Sequence, residues 1–366
     1  MRFPEFSGEW VETELQDIVP NICSGKDRIS NSGEVALYGS TGVIGRTNSA
    51  SYKENIVLVA RVGANAGQMQ IGNAPCGVTD NTLVIDAKEW NYYIYYFLQH
   101  YNLNRLVFGS GQPLITGGML KRIKVRYGCK AERNNITRLL CLIDERIATQ
   151  NKIIEKLQSL IKGLNDSLYK QYGNAITTSF SDLGHSYSGL SGKSSEDFGS
   201  GKPFITYLNV YSNSVVNENE YQYVRINDGE KQNIVQCGDV LFTLSSETPE
   251  EVGVASVYLG IDEVFLNSFC FGFHIDNKEL AYPPYFSYYV SSTPFRKFIY
   301  PFAQGSTRFN LCKADFEKAS IKLPSLNNQK HIYAILNSIT GKIETEKNLL
   351  EYYTTQKQYL LRQMFI

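Results

Sequence analysis

The stretch GSGQPLITGGMLKRIKV, residues Gly109–Val125, returns later in the chain as GSTRFNLCKADFEKASIKL, residues Gly305–Leu323. Each copy contains a Gly-Ser loop, a polar turn, a short helix-like segment and a small basic strand. The second copy begins 196 residues after the first, without a gap between the matched positions. A fixed spacing of this kind indicates an internal duplication. We therefore expect two copies of one structural frame.

The same spacing continues into the two long segments that follow the quoted stretches. Apolar positions of the first segment fall on apolar positions of the second, and two unrelated helices would not stay in step for so long. The matched pairs are Leu140 and Leu336, Ile143 and Ile339, Ile147 and Ile343, Ile154 and Leu350, Leu157 and Tyr353, Leu164 and Leu360, and Leu168 and Met364.

These segments, residues 131–172 and 327–365, lack proline and place apolar residues in a 3-4 alternation that is typical of a coiled coil. Gln150 and Glu346 are polar at matched positions of the alternation, and Lys357 is a second polar residue in the later segment. Helices of this length extend about 60 Å at 1.5 Å per residue. We expect them to pack on each other, antiparallel, which hides both apolar stripes. Homodimerisation through separate coils is the alternative.

A second match lies upstream, where VIDAKEW around Asp86 resembles HIDNKEL around Asp276, and each precedes a tyrosine-rich run. Before Asp86 the two halves diverge in length and content, which indicates one scaffold built for two different targets. Short alternating runs such as residues 56–59, 82–85 and 240–242 predict strands. The expected fold class is α+β, with two globular domains, two long helices and an internal pseudo-two-fold duplication. The predicted boundaries are 1–128 for the first domain, 129–174 for the central helix, 175–325 for the second domain and 326–366 for the C-terminal helix.

Composition restricts the classes of function. The 366 residues hold 36 Lys and Arg against 36 Asp and Glu, so charge alone does not explain nucleic-acid binding, although a neutral total can contain a local basic surface. There is no apolar run long enough for a membrane span and no leader pattern, which predicts a cytoplasmic protein. The seven cysteines form no C-x-x-C pair, so we expect buried free thiols and no structural zinc.

Several motifs suggest catalysis without supporting it. YPPY at Tyr282–Tyr285 lacks the acidic or amide first residue of an amino-methyltransferase motif, and it predicts a helix start with proline in the first turn. SGKS around Lys193 has Tyr187 at the position where a phosphate loop requires its first glycine, and no apolar strand precedes it, so we reject a phosphate loop. Asp86-Ala87-Lys88 and Asp276-Asn277-Lys278 resemble the tail of a nuclease metal motif, but an acid and a lysine after a strand are common at the start of a helix. The four histidines are scattered along the chain and do not define a catalytic triad. We expect no catalytic residue and no metal site.

With catalysis set aside, the basic residues of the two domains indicate a binding function. Basic residues lie among Gly, Ser, Asn and Tyr in the divergent interiors, a mixture that can contact phosphates and base edges. The alternative for each one is a solvated surface charge. The candidate DNA-binding residues are Lys26, Arg28, Arg46, Lys53 and Arg61 in the first domain, and Lys193, Lys202, Arg225 and Lys231 in the second.

Taken together, the chain resembles the specificity subunit of Type I restriction-modification enzymes. The resemblance covers essentially the whole chain and rests on RFPEFSGEW at residues 2–10, LQDIV at 15–19, the GSGQP and GSTRF loops, and LIDERIATQNKIIEKLQSLIKGL at 142–164. It implies that each domain is a target recognition domain that reads one half of a bipartite, asymmetric site in double-stranded DNA, while the helices form a spacer that sets the gap. A non-DNA scaffold with duplicated domains is the alternative function.

The resemblance also implies partners that supply the chemistry. Methyltransferase subunits would dock on the helices and frame, and an ATP-dependent restriction and translocase subunit would join them. S-adenosylmethionine, ATP and Mg²⁺ are then expected in those partners, with no cofactor in this chain. One amide and six basic residues of the shared frame are expected to dock partners or position phosphates, namely Gln112, Lys121, Arg122, Lys124, Arg308, Lys318 and Lys322.

The two copies depart from each other at three places. Arg308-Phe309 replaces Gln112-Pro113, Asn327–Gln329 replaces Ala131–Arg133, and only the second helix is preceded by a proline, Pro324. These differences bear on whether both ends bind their partners equally well.

Overall fold

The computed structural model describes residues 2–19, 21–107 and 113–365. The chain divides into two compact units, Met1–Lys152 with Lys347–Ile366 and Ile153–Glu346. Each unit contains one α+β domain together with segments of two long helices, which confirms the predicted fold class. No helix within the described ranges is long and apolar enough to cross a membrane.

The first half of the chain combines short strands with helices. The strands are β1 (Val11–Glu14), β2 (Ile22–Ser24), β3 (Val35–Gly39), β4 (Gly42–Thr47), β5 (Ile56–Ala60), β6 (Met69–Gly72), β7 (Cys76–Val78), β8 (Thr82–Ile85) and β9 (Lys124–Tyr127). The helices are α1 (Leu15–Ile18), α2 (Asn91–Tyr101), α3 (Gly117–Lys121) and α4 (Lys130–Tyr172), with 3₁₀ turns at Lys88–Trp90 and Leu103–Leu106.

The second half repeats this plan with more strands. They are β10 (Ile176–Ser179), β11 (Gly184–Ser188), β12 (Phe198–Ile205), β13 (Gln222–Val224), β14 (Val240–Thr243), β15 (Ser245–Ser246), β16 (Ala255–Val257), β17 (Phe265–Leu266), β18 (Cys270–Ile275), β19 (Ala303–Gln304), β20 (Phe309–Leu311) and β21 (Ser320–Leu323). The helices are α5 (Phe180–Leu183), α6 (Tyr207–Ser212), α7 (Phe286–Tyr289), α8 (Thr293–Ile299), α9 (Lys313–Lys318) and α10 (Leu326–Met364). The 3₁₀ turns are Ser195–Asp197, Glu218–Glu220, Pro249–Glu251, Pro283–Tyr285 and Tyr300–Phe302.

The two domains share their strand topology although their interiors differ in sequence. A four-stranded sheet has the order β2-β8-β5-β6 in the first domain and β11-β18-β14-β16 in the second. A three-stranded sheet has the order β4-β3-β7 in the first and β13-β12-β17 in the second, each with one antiparallel and one parallel pair. The duplication therefore includes the interiors, and the halves differ mainly in the loops that the strands carry.

The prediction that the halves diverge before Asp86 is wrong for the first strand and helix of each domain. β1 pairs with β9 as β10 pairs with β21, antiparallel over four residues. A one-turn helix follows in each case, and each has a capping box in which an aspartate accepts from the backbone at the cap. The signal was present as TELQDI and TSFSDL, but these two runs are separated by 165 residues rather than 196. Insertions elsewhere in the second domain hid the correspondence.

The Gly-Ser loop predicted at residues 109–112 lies outside the described residues, but the rest of the quoted stretches folds as the repeat predicts. α3 and α9 begin 196 residues apart, and so do β9 and β21. Matched apolar positions are buried alike, as the pairs Leu120 and Phe316 and Val125 and Ile321 illustrate. The basic strands β9 and β21 begin after Lys121, Arg122 and Lys318, which lie at the carboxyl ends of α3 and α9. A cation is favourable there because it faces the negative end of the helix dipole.

α4 and α10 pack together within each unit. In the first unit Ile136 and Leu140 of α4 share a core with Met364 and Phe365 of α10. In the second unit Leu164 and Leu168, near the end of α4, pack against a core that contains Ile332 and Leu336, near the start of α10. The start of each helix thus meets the end of the other, which is the predicted antiparallel arrangement. Gln150 and Glu346 are both buried in the seam as predicted.

The expectation of buried thiols is correct for Cys76 and Cys270 and wrong for Cys23, Cys129 and Cys237, which are exposed. Burial raises the pKa of Cys76 to about 11 and that of Cys270 to about 12. Cys23 lies on β2, a three-residue strand with one fully buried position, so the alternation directs its side chain outward.

Candidate nucleic-acid interface

In the first domain, the loop after β2 carries Lys26, Arg28 and Ile29 into a surface cleft of about 580 Å³. The carboxylate of Asp27 anchors this loop, because it accepts from the backbone amide of Val78 at 2.8 Å and from the hydroxyl of Ser51 at 2.6 Å. The carboxylate of Asp27, between the two cations, is therefore occupied by hydrogen bonds within the domain. Lys26 and Arg28 remain exposed on either side of it.

Two further candidates adjoin this loop. Arg61 follows β5, and its guanidinium donates to the hydroxyl of Ser24 at 3.3 Å, which ties it to the strand from which the loop departs. Arg46 is exposed near the end of β4, and its guanidinium donates to the carbonyl of Glu34 at 2.9 Å. The backbone amide of Ser30 donates to the carbonyl of Arg46, so the loop runs directly along β4. The structure thus brings Lys26, Arg28, Arg46 and Arg61 together around one loop.

Lys53 is exposed in a different cleft, which it shares with Glu54, Asp86 and Lys88. Lys88 pairs with Asp86 at 2.8 Å and lies 3.6 Å from Glu54. The surroundings of Lys53 are therefore of mixed charge, and no described contact joins it to the other four candidates of this domain.

In the second domain, Lys193 differs from the other candidates because its side chain is only 5% exposed. Its ammonium donates to Glu230 and to the carbonyl of Arg225, each at 2.6 Å. Glu230 also accepts from the backbone amide of Asn227 at 3.0 Å. The hydrogen bond from Lys193, together with that amide, lowers the pKa of Glu230 to about 2. A phosphate would reach Lys193 only if this ion pair opened.

The remaining contacts fasten the same two segments together. Gln232 exchanges hydrogen bonds with the backbone of Ser191 in both directions, at 2.8 and 3.1 Å. The amide of Asn233 donates to the carbonyl of Ser188, and the backbone amide of Arg225 donates to the carbonyl of Asp197. We call residues 188–197 and 225–233, joined in this way by side chains, the clasp. It holds Arg225 and Lys231 in exposed positions on an ordered loop.

Lys202 lies on β12 beside Val224, one residue before Arg225. Its ammonium is 3.3 Å from Glu263, and both side chains are exposed. An exposed pair of this kind contributes little to stability, so it leaves Lys202 available to a ligand.

A polar cleft of about 230 Å³ opens next to the clasp, and the sequence reasoning did not identify it. Asp239 is fully buried there and accepts from the hydroxyl of Tyr187 and the backbone amide of Gln236, with His274 Nδ1 at 2.6 Å. His185 lies 2.7 Å from Asp276 and lowers its pKa. The only sequence signal was the alternation of polar residues in GHSYS and FHID. Within the described ranges, no group of His, Cys, Asp and Glu is arranged to hold a metal ion.

The basic residues of the frame are dispersed over each domain. Gln112 lies outside the described residues. Lys124 pairs with Glu12 across the β1–β9 ladder at 3.3 Å, and the carbonyl of Lys322 accepts from the hydroxyl of Tyr169 at 2.9 Å. Arg122, Arg308 and Lys318 are exposed, whereas Lys121 is half-buried.

Each domain is fixed to its own following helix at a joint, and the joints explain the departure at Ala131–Arg133. In the first joint, Glu132 is buried and accepts from Arg2 at 2.6 and 2.8 Å and from Trp10 at 3.2 Å. Arg133 stacks on Trp90 with its guanidinium 3.3 Å from the ring centroid.

The second joint has one buried amide where the first has three charged side chains, Arg2, Glu132 and Arg133. Gln329 accepts from the backbone amide of Tyr282 at 2.8 Å and donates to the carbonyls of Leu280 and Pro324 at 2.8 and 2.9 Å. Pro324 therefore supplies an acceptor to this joint. The YPPY segment begins a 3₁₀ turn with proline in the first positions and leads into α7, as predicted.

Comparison with known proteins agrees with this duplicated architecture. The family model for the Type I restriction modification DNA specificity domain matches residues 7–166 and again residues 179–352. The two matches cover most of the chain and fall on its two halves. The chain therefore belongs to the Type I restriction-modification DNA specificity family, and its function is sequence-specific DNA recognition rather than that of a non-DNA scaffold.

Solved structures show the same fold. The S subunit of a Type I restriction-modification system from M. genitalium matches with a TM-score of 0.62 and 17% identity, over 98% of this chain and 96% of that chain. A chain from a study of complex assembly and conformational transition of the type I R-M system matches with a TM-score of 0.56 and 14% identity, over 100% of this chain and 98% of that chain.

Proposed function

We propose that this chain is the DNA-reading subunit of a Type I restriction-modification complex and that each domain reads one half of a bipartite, asymmetric site. The main support is the topology shared by the two domains, because the same sheets carry loops of different sequence and length. Loops on a common scaffold are where recognition residues concentrate. Two different loop sets on one scaffold suit two different half-sites.

In the first domain, we assign DNA contacts to Lys26, Arg28, Arg46, Lys53 and Arg61. In the second, we assign them to Lys202, Arg225 and Lys231, with Lys193 acting from inside the clasp. Arginine and lysine in exposed loops can contact guanine edges or phosphates, and a good bidentate contact is worth about 1–3 kcal/mol of discrimination. The neutral total charge fits a reader whose partners supply many of the phosphate contacts.

Methyltransferase subunits, in this proposal, bind α4, α10 and the frame residues Gln112, Lys121, Arg122, Lys124, Arg308, Lys318 and Lys322. They bring S-adenosylmethionine, and a restriction and translocase subunit brings ATP and Mg²⁺. The chain described here performs no catalytic step and works in the cytoplasm. The domains and spacer helices keep the boundaries 1–128, 129–174, 175–325 and 326–366.

Methylation mapping of a genome that expresses this chain with its methyltransferase tests the proposal. We expect one methylated bipartite motif with a fixed gap. Inserting one heptad after Thr149 and one after Thr345, which are matched positions, adds about 10 Å to each helix. The gap should then grow by about two to three base pairs at 3.4 Å per pair, with both half-sites unchanged. Altered half-sites with the original gap would contradict the spacer role.

A further inference from the structure

The β3–β4 hairpin of the first domain exposes aliphatic side chains that no described part of this unit covers. Val43 and Ile44 on β4 are 58% and 47% exposed, and Ile29, from the loop beside the strand, is 62% exposed. β4 lies at the edge of its sheet. Natural proteins protect edge strands with charge, because apolar edges promote aggregation. An aliphatic edge therefore indicates a surface that is covered in a complex.

Local backbone geometry holds these side chains outward. The pairing of β3 with β4 shifts between Leu37 and Tyr38, so Ile44 is the extra residue of a bulge. Bulges direct a side chain away from the regular alternation. Ile44 then packs over Gly39, where an added Cβ would come within 2.8 Å of its Cγ2 atom. Ile29 lies over Gly45, since a Cβ there would be 3.5 Å from its Cγ1 atom. Two glycines thus provide the space against which these side chains are ordered.

The charges around this edge indicate what covers it. Lys26 and Arg28, which precede Ile29 in the chain, line the same cleft of about 580 Å³, and Arg46 lies two residues after Ile44. Two acids also line the cleft: Asp27, whose carboxylate is engaged by Val78 and Ser51, and the exposed Asp80. Together with Arg46, the cations outnumber them by three to two. Aliphatic side chains beside exposed cations suit a polyanion that also offers apolar groups. Duplex DNA has both properties.

A two-stranded ribbon fits the major groove, where the apolar substituent on the base edges is the 5-methyl group of thymine. We propose that Ile29, Val43 and Ile44 contact thymine methyl groups in the half-site read by the first domain, while Arg28 and Arg46 flank that contact. This inference rests on the proposed function and adds a base identity to it. One half of the target must then contain at least one A·T pair whose thymine methyl contributes to binding.

The matching strand pair of the second domain, in which α6 lies between the two strands in sequence, has a different surface. β12 and β13 also contain a bulge, between Phe198 and Lys202, but β13 exposes Gln222 and Tyr223. An amide and a phenol favour hydrogen bonds and stacking rather than methyl contacts. The dependence on thymine methyl groups should therefore be confined to one half of the site.

Deoxyuridine tests the proposal, because replacing thymine with it removes only the 5-methyl group. Duplexes that contain the mapped site, with each thymine replaced in turn, are titrated with the chain in complex with its methyltransferase subunits. We expect one or two replacements, all in one half-site, to weaken binding about three- to tenfold, as the loss of a buried methyl contact does. Ile44→Ala, Val43→Ala and Ile29→Ala should bind the thymine duplex more weakly and lose the preference for thymine over deoxyuridine.

Ile261→Ala is the matched control, because Ile261 is an aliphatic residue of the second domain that is 95% exposed. It should keep the full deoxyuridine effect. The proposal is overturned if no replacement affects the wild type, if neither half-site has an A·T pair, or if the Ile44→Ala complex retains the full penalty. Loss of methyltransferase binding in the three variants, with the deoxyuridine effect intact, would make this edge a protein contact and would equally overturn it. A complex with no sequence preference at all would instead refute the proposed function.

Discussion

The two joints hold the same frame to its helices through matched positions but with opposite chemistry. The first joint buries Glu132 against Arg2 and stacks Arg133 on Trp90, whereas the second uses the neutral amide of Gln329 for backbone groups. The same contrast appears further along the helices. Tyr96 donates to the carboxylate of Asp144, which also pairs with Lys357, whereas Tyr288 is bonded to the hydroxyl of Thr340.

This difference shows that the duplicated frame conserves where the contacts are made and not which groups make them. Asp144 and Thr340 lie 196 residues apart, as do Arg133 and Gln329. In the first joint, the carboxylate of Glu132 accepts from Arg2 and Trp10, but the buried Nε of Arg133 has no hydrogen-bond partner within the described residues and its guanidinium stacks on Trp90. In the second joint, the amide of Gln329 is satisfied by three backbone groups. We expect the charged joint to be more sensitive to the loss of one partner, because an unpaired buried charge costs more than an unpaired amide.

The largest effect is expected from Glu132→Ala. The substitution leaves the guanidinium of Arg2 and the indole N–H of Trp10 without their acceptor. Because the Arg2 side chain is 31% exposed, its charge can be solvated, and the loss of three hydrogen bonds to a buried carboxylate should destabilise the first unit by about 2.5 kcal/mol. Trp10 and Trp90 are the two tryptophans of the chain, so tryptophan fluorescence in a urea titration reports on this joint. Glu155→Ala, at an exposed position of α4, is the control and should leave the midpoint unchanged. A shift below 1 kcal/mol for Glu132→Ala would show that the ion pair contributes little.

Gln329→Ala should produce a smaller loss, about 2 kcal/mol, because one backbone N–H and two carbonyls lose a neutral partner. The change belongs to the second unit, so we expect it in the far-ultraviolet circular dichroism transition rather than in tryptophan fluorescence. Asn328→Ala, at an adjacent half-buried position, is the comparison. Equal shifts of the fluorescence transition by Gln329→Ala and Glu132→Ala would contradict the assignment of separate joints.

Tyr96 and Tyr288 allow the most direct comparison of a charged with a neutral hydrogen-bond partner. Tyr96→Phe removes a hydrogen bond to a carboxylate and should cost about 1.5 kcal/mol, whereas Tyr288→Phe removes one to a hydroxyl and should cost about 0.7 kcal/mol. Both rings stay in place, so packing is preserved. Urea titrations of the two variants check the difference. A larger loss for Tyr288→Phe would reverse the comparison.

The clasp predicts that its enclosed lysine and its exposed lysine affect DNA binding in different ways. Lys193→Met and Glu230→Gln should each weaken specific binding of the complex about tenfold, and the double variant should be no worse than either single one, because both act through one ion pair. The dependence of log K on log salt should stay unchanged in Lys193→Met. Lys231→Met, which removes an exposed cation, should reduce that slope by about 0.9 if Lys231 contacts a phosphate. A reduced salt slope in Lys193→Met would contradict this prediction and would show that Lys193 contacts a phosphate directly.

Much of the frame was predictable because its signals are local or periodic. The 3-4 alternation predicted α4 and α10 and their buried polar positions, and the 196-residue spacing predicted α3, α9, β9 and β21. The correspondence of α1 and α5 was missed, since insertions in the second domain change the spacing there. The outward direction of Cys23 was also missed, because a strand of three residues has too few positions to define an alternation.

The candidate site was less predictable, and the lysines show why. Lys193 and Lys231 are alike in sequence context, yet one is enclosed by the clasp and the other is exposed. The partner of Lys193 is 37 residues away, and that of Asp27 is 51 residues away. Composition and spacing carry no information about such pairings.

The sequence by itself determined the duplication and the two long helices, because these depend on repeated patterns of apolar residues. Its local motifs indicated the family, whereas the choice of antiparallel packing over separate coils came from the cores that the two helices share. Only the tertiary structure decided which cations are engaged internally, how each domain is joined to its helix, and that a bulge over Gly39 turns Ile44 outward. Those features depend on contacts between residues far apart in the chain. Their chemistry differs between the copies because an ion pair, a ring contact or a neutral amide can each hold a domain to its helix.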